Sequence, residues 1–295
     1  MQISKLRRRL VIFLGIAGMT ASRLSLAQKR GGINRAGVVN FVAGDATLWD
    51  GDFQLAVTNG TVVKQGNAIE TGLDSEVHIL LEDGGLLAVR PSSRIQIDLA
   101  YVTGGFNDSL TLTLLRGAMR SITGWVGKFD KKNYQLKAAT ATIGIRGTDH
   151  EIAIIEAGQE RGGEIPGVHS WVREGGTTLT SPGGHIDIDA GHAAWASNDG
   201  KAPRPHEGIP DFLQRRQTKN EARIDRHARH VAEHIEKRLL KRGTIKPGER
   251  LKDAQLRHAA LQSKSVSERS DGTGESETES HEPKKARKQK NQRRK

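Results

Sequence analysis

Three stretches of the sequence hold ionisable side chains at spacings that could do chemistry. Asp149 and His150 supply two members of a Ser–His–Asp triad by type. They are neighbours in an alternating apolar/polar run, however, and neighbours on a strand face opposite sides, so they cannot act as one dyad. His185, Asp187 and Asp189 alternate along one strand face and could take a hard cation or zinc; the plainer reading is a solvated face with Ile186 and Ile188 turned inward. His227, His230 and His234 fall within an arc of about 60° on a helix and are the candidate metal ligands, although a closed site would want a fourth ligand such as Glu233.

No Gly-x-Ser-x-Gly elbow, His-Glu-x-x-His helix or phosphate loop occurs, and the chain has no cysteine for a thiolate nucleophile or a Cys-based zinc site. Paired carboxylates brought together by folding leave an envelope hydrolase as an alternative. The expectation is therefore a protein that binds rather than catalyses, with no cofactor.

The 295 residues carry a net charge of +12, and residues 201–295 hold the whole excess. Residues 28–200 are mildly acidic, with 15 Lys/Arg against 20 Asp/Glu. A uniformly basic nucleic-acid coat is excluded, and no nucleic-acid partner is expected. Residues 1–27 read as a signal peptide: Lys5, Arg7, Arg8 and Arg9, an apolar stretch from Leu10 to Ala21, and a small-x-small site at Ser25-Leu26-Ala27. Export by the Sec or the twin-arginine route would place the chain in the periplasm, touching the membrane only through that segment.

After a linker at 28–36, residues 37–197 form an all-β body of short hairpins, a sandwich or β-roll. Val77 to Leu81 and Leu86 to Val89 flank Glu82-Asp83-Gly84-Gly85, a hairpin signal; Ile95 to Leu99 and Ser109 to Leu114 alternate at period two. In Arg146-Gly147-Thr148 the glycine permits a positive φ that re-aims its neighbours. Arg146 could then face a ligand or, more plainly, lock a corner by holding Asp149 or Glu151.

These pieces resemble, in their order, the FecR domain, the periplasmic module of iron-dicitrate-type sensors. The matching residues are Gly37-Val38-Val39, Gly66 through Thr71, the Glu82-Asp83-Gly84 hairpin with Leu86 to Val89 and Pro91-Ser92-Ser93, and Leu114 to Ala118. Most specific is Thr140 through Thr148, which ends in the family motif Arg146, Gly147, Thr148. The resemblance implies an exported interaction domain, possible signalling, and an envelope protein as partner. A membrane-anchored regulator of a sigma factor is the alternative, against which stands the short nine-residue stretch ahead of Leu10.

A linker at 198–208 leads to a helical extension at 209–262. One helix is expected from Ile209 to Arg242, with an apolar stripe at Ile224, Ala228, Val231, Ile235 and Leu239 and a Gly243 cap; a weaker one follows from about Gly248 to Ser263. The stripe should dock on the β-body or on another copy, and protonation of the three histidines should weaken that docking. Residues 263–295 read as a disordered charged tail, with eight Lys/Arg among residues 284–295. Such an end could tether the chain to an anionic envelope polymer. Oligomeric state is not legible.

Overall fold

Alternation along the chain becomes two faces of a sheet, and two such sheets close on one another. The computed structural model describes residues 34–160, 164–215, 218–250, 253–254, 256–258 and 260–261. The signal segment and the charged tail lie outside them.

The first strands are β1 (Arg35–Ala43), β2 (Ala46–Asp50), β3 (Phe53–Ala56), β4 (Val62–Lys64), β5 (Ala68–Thr71), β6 (Glu76–Leu81) and β7 (Leu86–Val89). Then come β8 (Arg94–Tyr101), β9 (Ser109–Arg116), β10 (Ala118–Ile122), a short helix α1 (Trp125–Phe129) and a 3-10 turn. The body continues through β11 (Tyr134–Ala138), β12 (Ala141–Ile145), β13 (Asp149–Ile155), β14 (Gly167–Glu174), β15 (Gly176–Ser181), β16 (Gly184–Asp189), β17 (Ala193–Ala196) and β18 (Arg204–Pro205). Helices α2 (Asp211–Arg215) and α3 (Glu221–Arg242) follow. The first strand thus begins within the 28–36 stretch and the last lies within 198–208.

The first sheet has the order β18-β17-β14-β13-β10-β7-β6-β1-β4, and the second β16-β15-β12-β11-β9-β8-β5-β2-β3. The all-β body with a helical extension is the observed architecture. The Asp83-Gly84 hairpin pairs β6 with β7, Leu80 opposite Leu86. Not every neighbour is a hairpin partner: β9 and β11 run parallel, Leu110 opposite Tyr134, because the chain between them crosses to the first sheet as β10 and returns through α1.

Between the sheets lies the main core. Val39, Val77, Ile79, Leu87, Val89, Met119 and Ile152 from the first sheet meet Ile69, Ile95, Ile97, Leu112, Leu136, Ile143 and Leu179 from the second. The second sheet's outward residues, Gln135, Lys137, Thr142 and Thr180 among them, are exposed, so alternation there is clean. On the first sheet every residue of β13 is buried. Helices α2 and α3 explain this, since they pack on its outer face.

The single helix expected over 209–242 is two. Between them, Thr218 Oγ1 donates to Glu76 Oε2, and Asn220 Nδ2 donates to the same oxygen at 2.7 Å. These side chains serve the body rather than a continuous helix, and Asn220 at the N-cap of α3 makes no side-chain capping bond. The expected C-cap is present: Gly243 adopts φ 74°, a left-handed conformation open to glycine at little cost. Ile235 and Leu239 of the stripe are buried in the main core, so α3 docks on the β-body. Leu239→Ala should cost about 2–5 kcal/mol in urea unfolding, as buried Leu truncations do, whereas exposed Tyr101→Ala should cost under about 0.5 kcal/mol.

Candidate functional site

The Arg146-Gly147-Thr148 corner joins β12 of the second sheet to β13 of the first. Gly147 has φ +73°, the positive value expected of it. Arg146 does not hold Asp149 or Glu151. Its guanidinium lies over Gly176 and donates to Asp189 Oδ1 at 3.1 Å, with the two side chains 31% and 80% exposed. The reason is topological: Arg146 leaves the second sheet, while Asp149 and Glu151 project from the outer face of the first. Thr148 Oγ1 hydrogen bonds with His150 Nδ1 at 2.9 Å, and its carbonyl accepts the Thr123 N–H at 2.9 Å, tying the start of β13 to the end of β10. Asp149 and His150 turn to opposite faces. His150 is buried, and that burial lowers its pKa to about 4, so it is neutral.

Asp149 and Glu151 belong to a buried ionic network that local sequence did not reveal. Arg90 receives Glu151 in a two-pronged grip, Nε to Oε1 and Nη2 to Oε2, both 3.0 Å, and reaches Glu76 Oε1 at 3.2 Å. Arg120 grips Asp149 likewise, at 2.8 and 2.6 Å. His78 Nε2 donates to Glu76 at 2.9 Å, and Arg173 approaches Glu151 at 3.5 Å. The strand register brings these residues together: Arg120 lies opposite Glu151 on β13, and the Arg90 amide bonds to Ala118 of β10.

The extension completes the network. Glu221, in the first turn of α3, bridges both arginines, with Oε1 2.5 Å from Arg90 Nη2 and Oε2 2.5 Å from Arg120 Nη1. One turn on, Asp225 lies 2.8 Å from Arg120. The β-body contributes three arginines and three carboxylates to this group, and α3 adds two more carboxylates at its positive end, where the helix dipole favours them. Burial penalises the Glu76 carboxylate, but hydrogen bonds from His78, Asn220 and Thr218 outweigh it and hold the pKa at about 2. Burial likewise opposes the charge of Arg90, yet Glu151, Glu221 and Glu76 push its pKa above the ordinary value.

Apolar contacts flank the ions on both sides. Phe212 and Leu213 of α2 pack with Trp171, Ala193, Ala153 and Ile155. Ile224 packs with Leu86, Ala88 and Ile122. Farther along α3, His227 Nε2 donates to the Gly84 carbonyl at 3.1 Å, and Arg238 Nη1 donates to the Leu81 and Glu82 carbonyls at 3.1 and 2.7 Å. Beyond the helix, His258 stacks on Phe106 at 4.0 Å.

The three histidines share a ridge, with the His227 and His234 rings 5.2 Å apart, but they do not converge on a metal. His227 is committed to Gly84 and His230 Nδ1 donates to the Arg226 carbonyl at 2.7 Å. Among the described residues no group of three His, Asp or Glu side chains is placed to hold a metal ion. His230 and His234 are exposed, whereas His227 hydrogen bonds to the β-body at Gly84.

Two expected outcomes follow from this geometry. Glu221→Ala leaves both arginines short of a partner and should cost about 3–5 kcal/mol, the range for breaking a buried pair; Arg146→Ala, on an exposed pair, should cost under about 1 kcal/mol. Chemical denaturation of both variants measures the contrast. Burial lowers the His227 pKa from 6.5 to about 4, so docking is fully present above 6.5 and is lost as pH falls through 6.5 toward 4. Asp83, beneath α3, has the opposite sign: burial raises its pKa from 3.8 to about 6, so its protonation below 6 stabilises the fold. His234, His230 and Arg238 also face His227, and each disfavours its charged form. Corrected for the slower intrinsic exchange at lower pH, the protection of α3 should therefore fall roughly two- to three-fold between pH 7.5 and 5.5, the net of a loss of about ten-fold from His227 and a gain of about four-fold from Asp83. His227→Gln should abolish the His227 loss and turn the change into a gain in protection of about four-fold from Asp83.

Among the described residues no helix is long and apolar enough to cross a membrane. No curated protein matches the chain. Two crystal structures of a proposed anti-sigma factor from Parabacteroides distasonis align with it at 9% identity and TM-scores of 0.38 and 0.37, over 50% of this chain. The chain spans 62% of the length of those structures. The family described as FecR protein matches residues 67–163, a span that holds Glu76, Arg90, Arg120, Asp149 and Glu151 as well as the Arg146-Gly147-Thr148 corner, and the chain thus carries a FecR domain.

Proposed function

We propose that the chain is an exported FecR-type interaction domain that acts in signalling at the cell envelope by binding a protein, without catalysis. The observation that carries this reading is the FecR match over residues 67–163, which covers the body's share of the ionic network apart from Arg173 and stops short of the helices that dock on it. A regulatory β-domain needs a face that can be covered or exposed, and the arm formed by α2 and α3 covers one such face with charges matched to it. Residues 1–27 support export, with cleavage after Ala27 and a periplasmic body. The basic end at 284–295 would then meet anionic envelope surfaces and not nucleic acid.

Fractionation followed by N-terminal sequencing tests the placement. The expected result is a soluble envelope protein beginning at Gln28. An uncleaved chain in the inner membrane, resistant to salt and alkaline washes, would overturn it in favour of an anchored regulator.

A further inference from the structure

The outermost strand of the second sheet carries the core pattern out to solvent. Residues directly opposite in an antiparallel pair share a face. Ile95, Ile69, Leu48 and Leu55 are opposite one another in turn across β8, β5, β2 and β3, and so form one inward row. The first three are 0%, 0% and 3% exposed, while Leu55 is 57% exposed. Phe53, two residues away on the same face, is 77% exposed.

Folded sheets blunt their edges with short strands, charges or proline. Three of the four edge strands do so here. β4 has three residues, β18 has two including Pro205, and β16 carries His185, Asp187 and Asp189. β3, with four residues, carries neither charge nor proline: it is Phe-Gln-Leu-Ala, exposed throughout. Around it stand Asp50 at the end of β2, opposite Phe53, Asp52 in the β2–β3 turn and, on adjoining loops, Asp45 and Asp74, with exposed Leu73 beside the last. None of these four aspartates forms an ion pair among the described residues. The cations on the outer face nearby are engaged: Arg116 binds Glu70 at 2.5 Å, and Arg94 lies over the Trp49 ring.

We infer that β3 is a docking edge for an extended segment of a partner protein, which adds as a tenth strand, turns alternate apolar side chains onto Phe53 and Leu55, and carries flanking Lys or Arg toward Asp50 and Asp52. The charge selects a different protein over a second copy of this chain, which would bring four more uncompensated aspartates to the same edge. The inference deepens the interaction reading above by naming a surface and a partner chemistry. It is tested in solution, so its outcome is separable from the chain's location in the cell.

The probe is a fluorescein-labelled peptide, Lys-Val-Thr-Val-Thr-Val-Lys, titrated into the purified full chain, with a Glu-flanked counterpart and two versions methylated on alternate backbone nitrogens. The expected result is saturable binding at least ten-fold tighter for the Lys-flanked peptide, slowed amide exchange at residues 53–56, and failure of one methylated version. Leu55→Lys should weaken binding ten-fold or more with an unchanged circular dichroism spectrum, and D50N combined with D52N should erase the preference for lysine. Absent binding, equal affinity for the two peptides, or protection elsewhere would overturn the proposal. So would a concentration-dependent dimer, seen by sedimentation and lost in Leu55→Lys, which would assign the edge to a second copy.

Discussion

Buried arginines must be neutralised where they stand, and this requirement shapes the outer face of the first sheet. Arg90, just past the end of β7, and Arg120 of the neighbouring β10 are both buried. A guanidinium there is tolerable only if its donors are taken by fixed carboxylates. Glu151 and Asp149 take two edges, and Glu221 spans the gap between the two cations with one oxygen on each. A single carboxylate from the extension thereby finishes two sites that the body leaves open. The extension is part of the domain's electrostatics and not an appendage to it.

The same demand accounts for the break between α2 and α3. An uninterrupted helix would keep Thr218 and Asn220 in regular helical geometry, whereas Glu76 draws both side chains down onto the sheet. The apolar patches around Phe212 and Ile224 then seal the ions on either side and exclude water from them. Ion pairing gives the arm its register, and the apolar contacts give it most of its adhesion. His227 adds a dependence on pH, because its ring is buried against a backbone carbonyl with no carboxylate beside it to favour the charged form.

The two sheets manage their solvent boundaries differently. The first sheet's outer face is covered by the arm, while the second presents polar residues to water and needs no cover. At the β3 edge neither solution applies, and inward-facing apolar residues meet solvent beside unpaired aspartates. Along the row from Ile95 to Leu48 the side chains are buried, and burial stops at the last strand, where Leu55 and Phe53 are 57% and 77% exposed.

Much of the architecture was legible in the sequence because it is local. Period-two alternation, the Asp83-Gly84 turn, the glycine at 147 and the apolar stripe of α3 with its Gly243 cap each depend on residues close in the chain, and each has a direct structural counterpart. The motif order from Gly66 to Thr148 likewise pointed to the FecR domain. What tertiary structure decided was partnership. Arg146 is near Asp149 in sequence but binds Asp189, and Glu221 binds arginines more than 100 residues away. Charge is long-ranged and indifferent to chain order, so a carboxylate's partner is set by which strands become neighbours. That neighbourhood, with β10 between β7 and β13, comes from the parallel crossover, which no local pattern encodes.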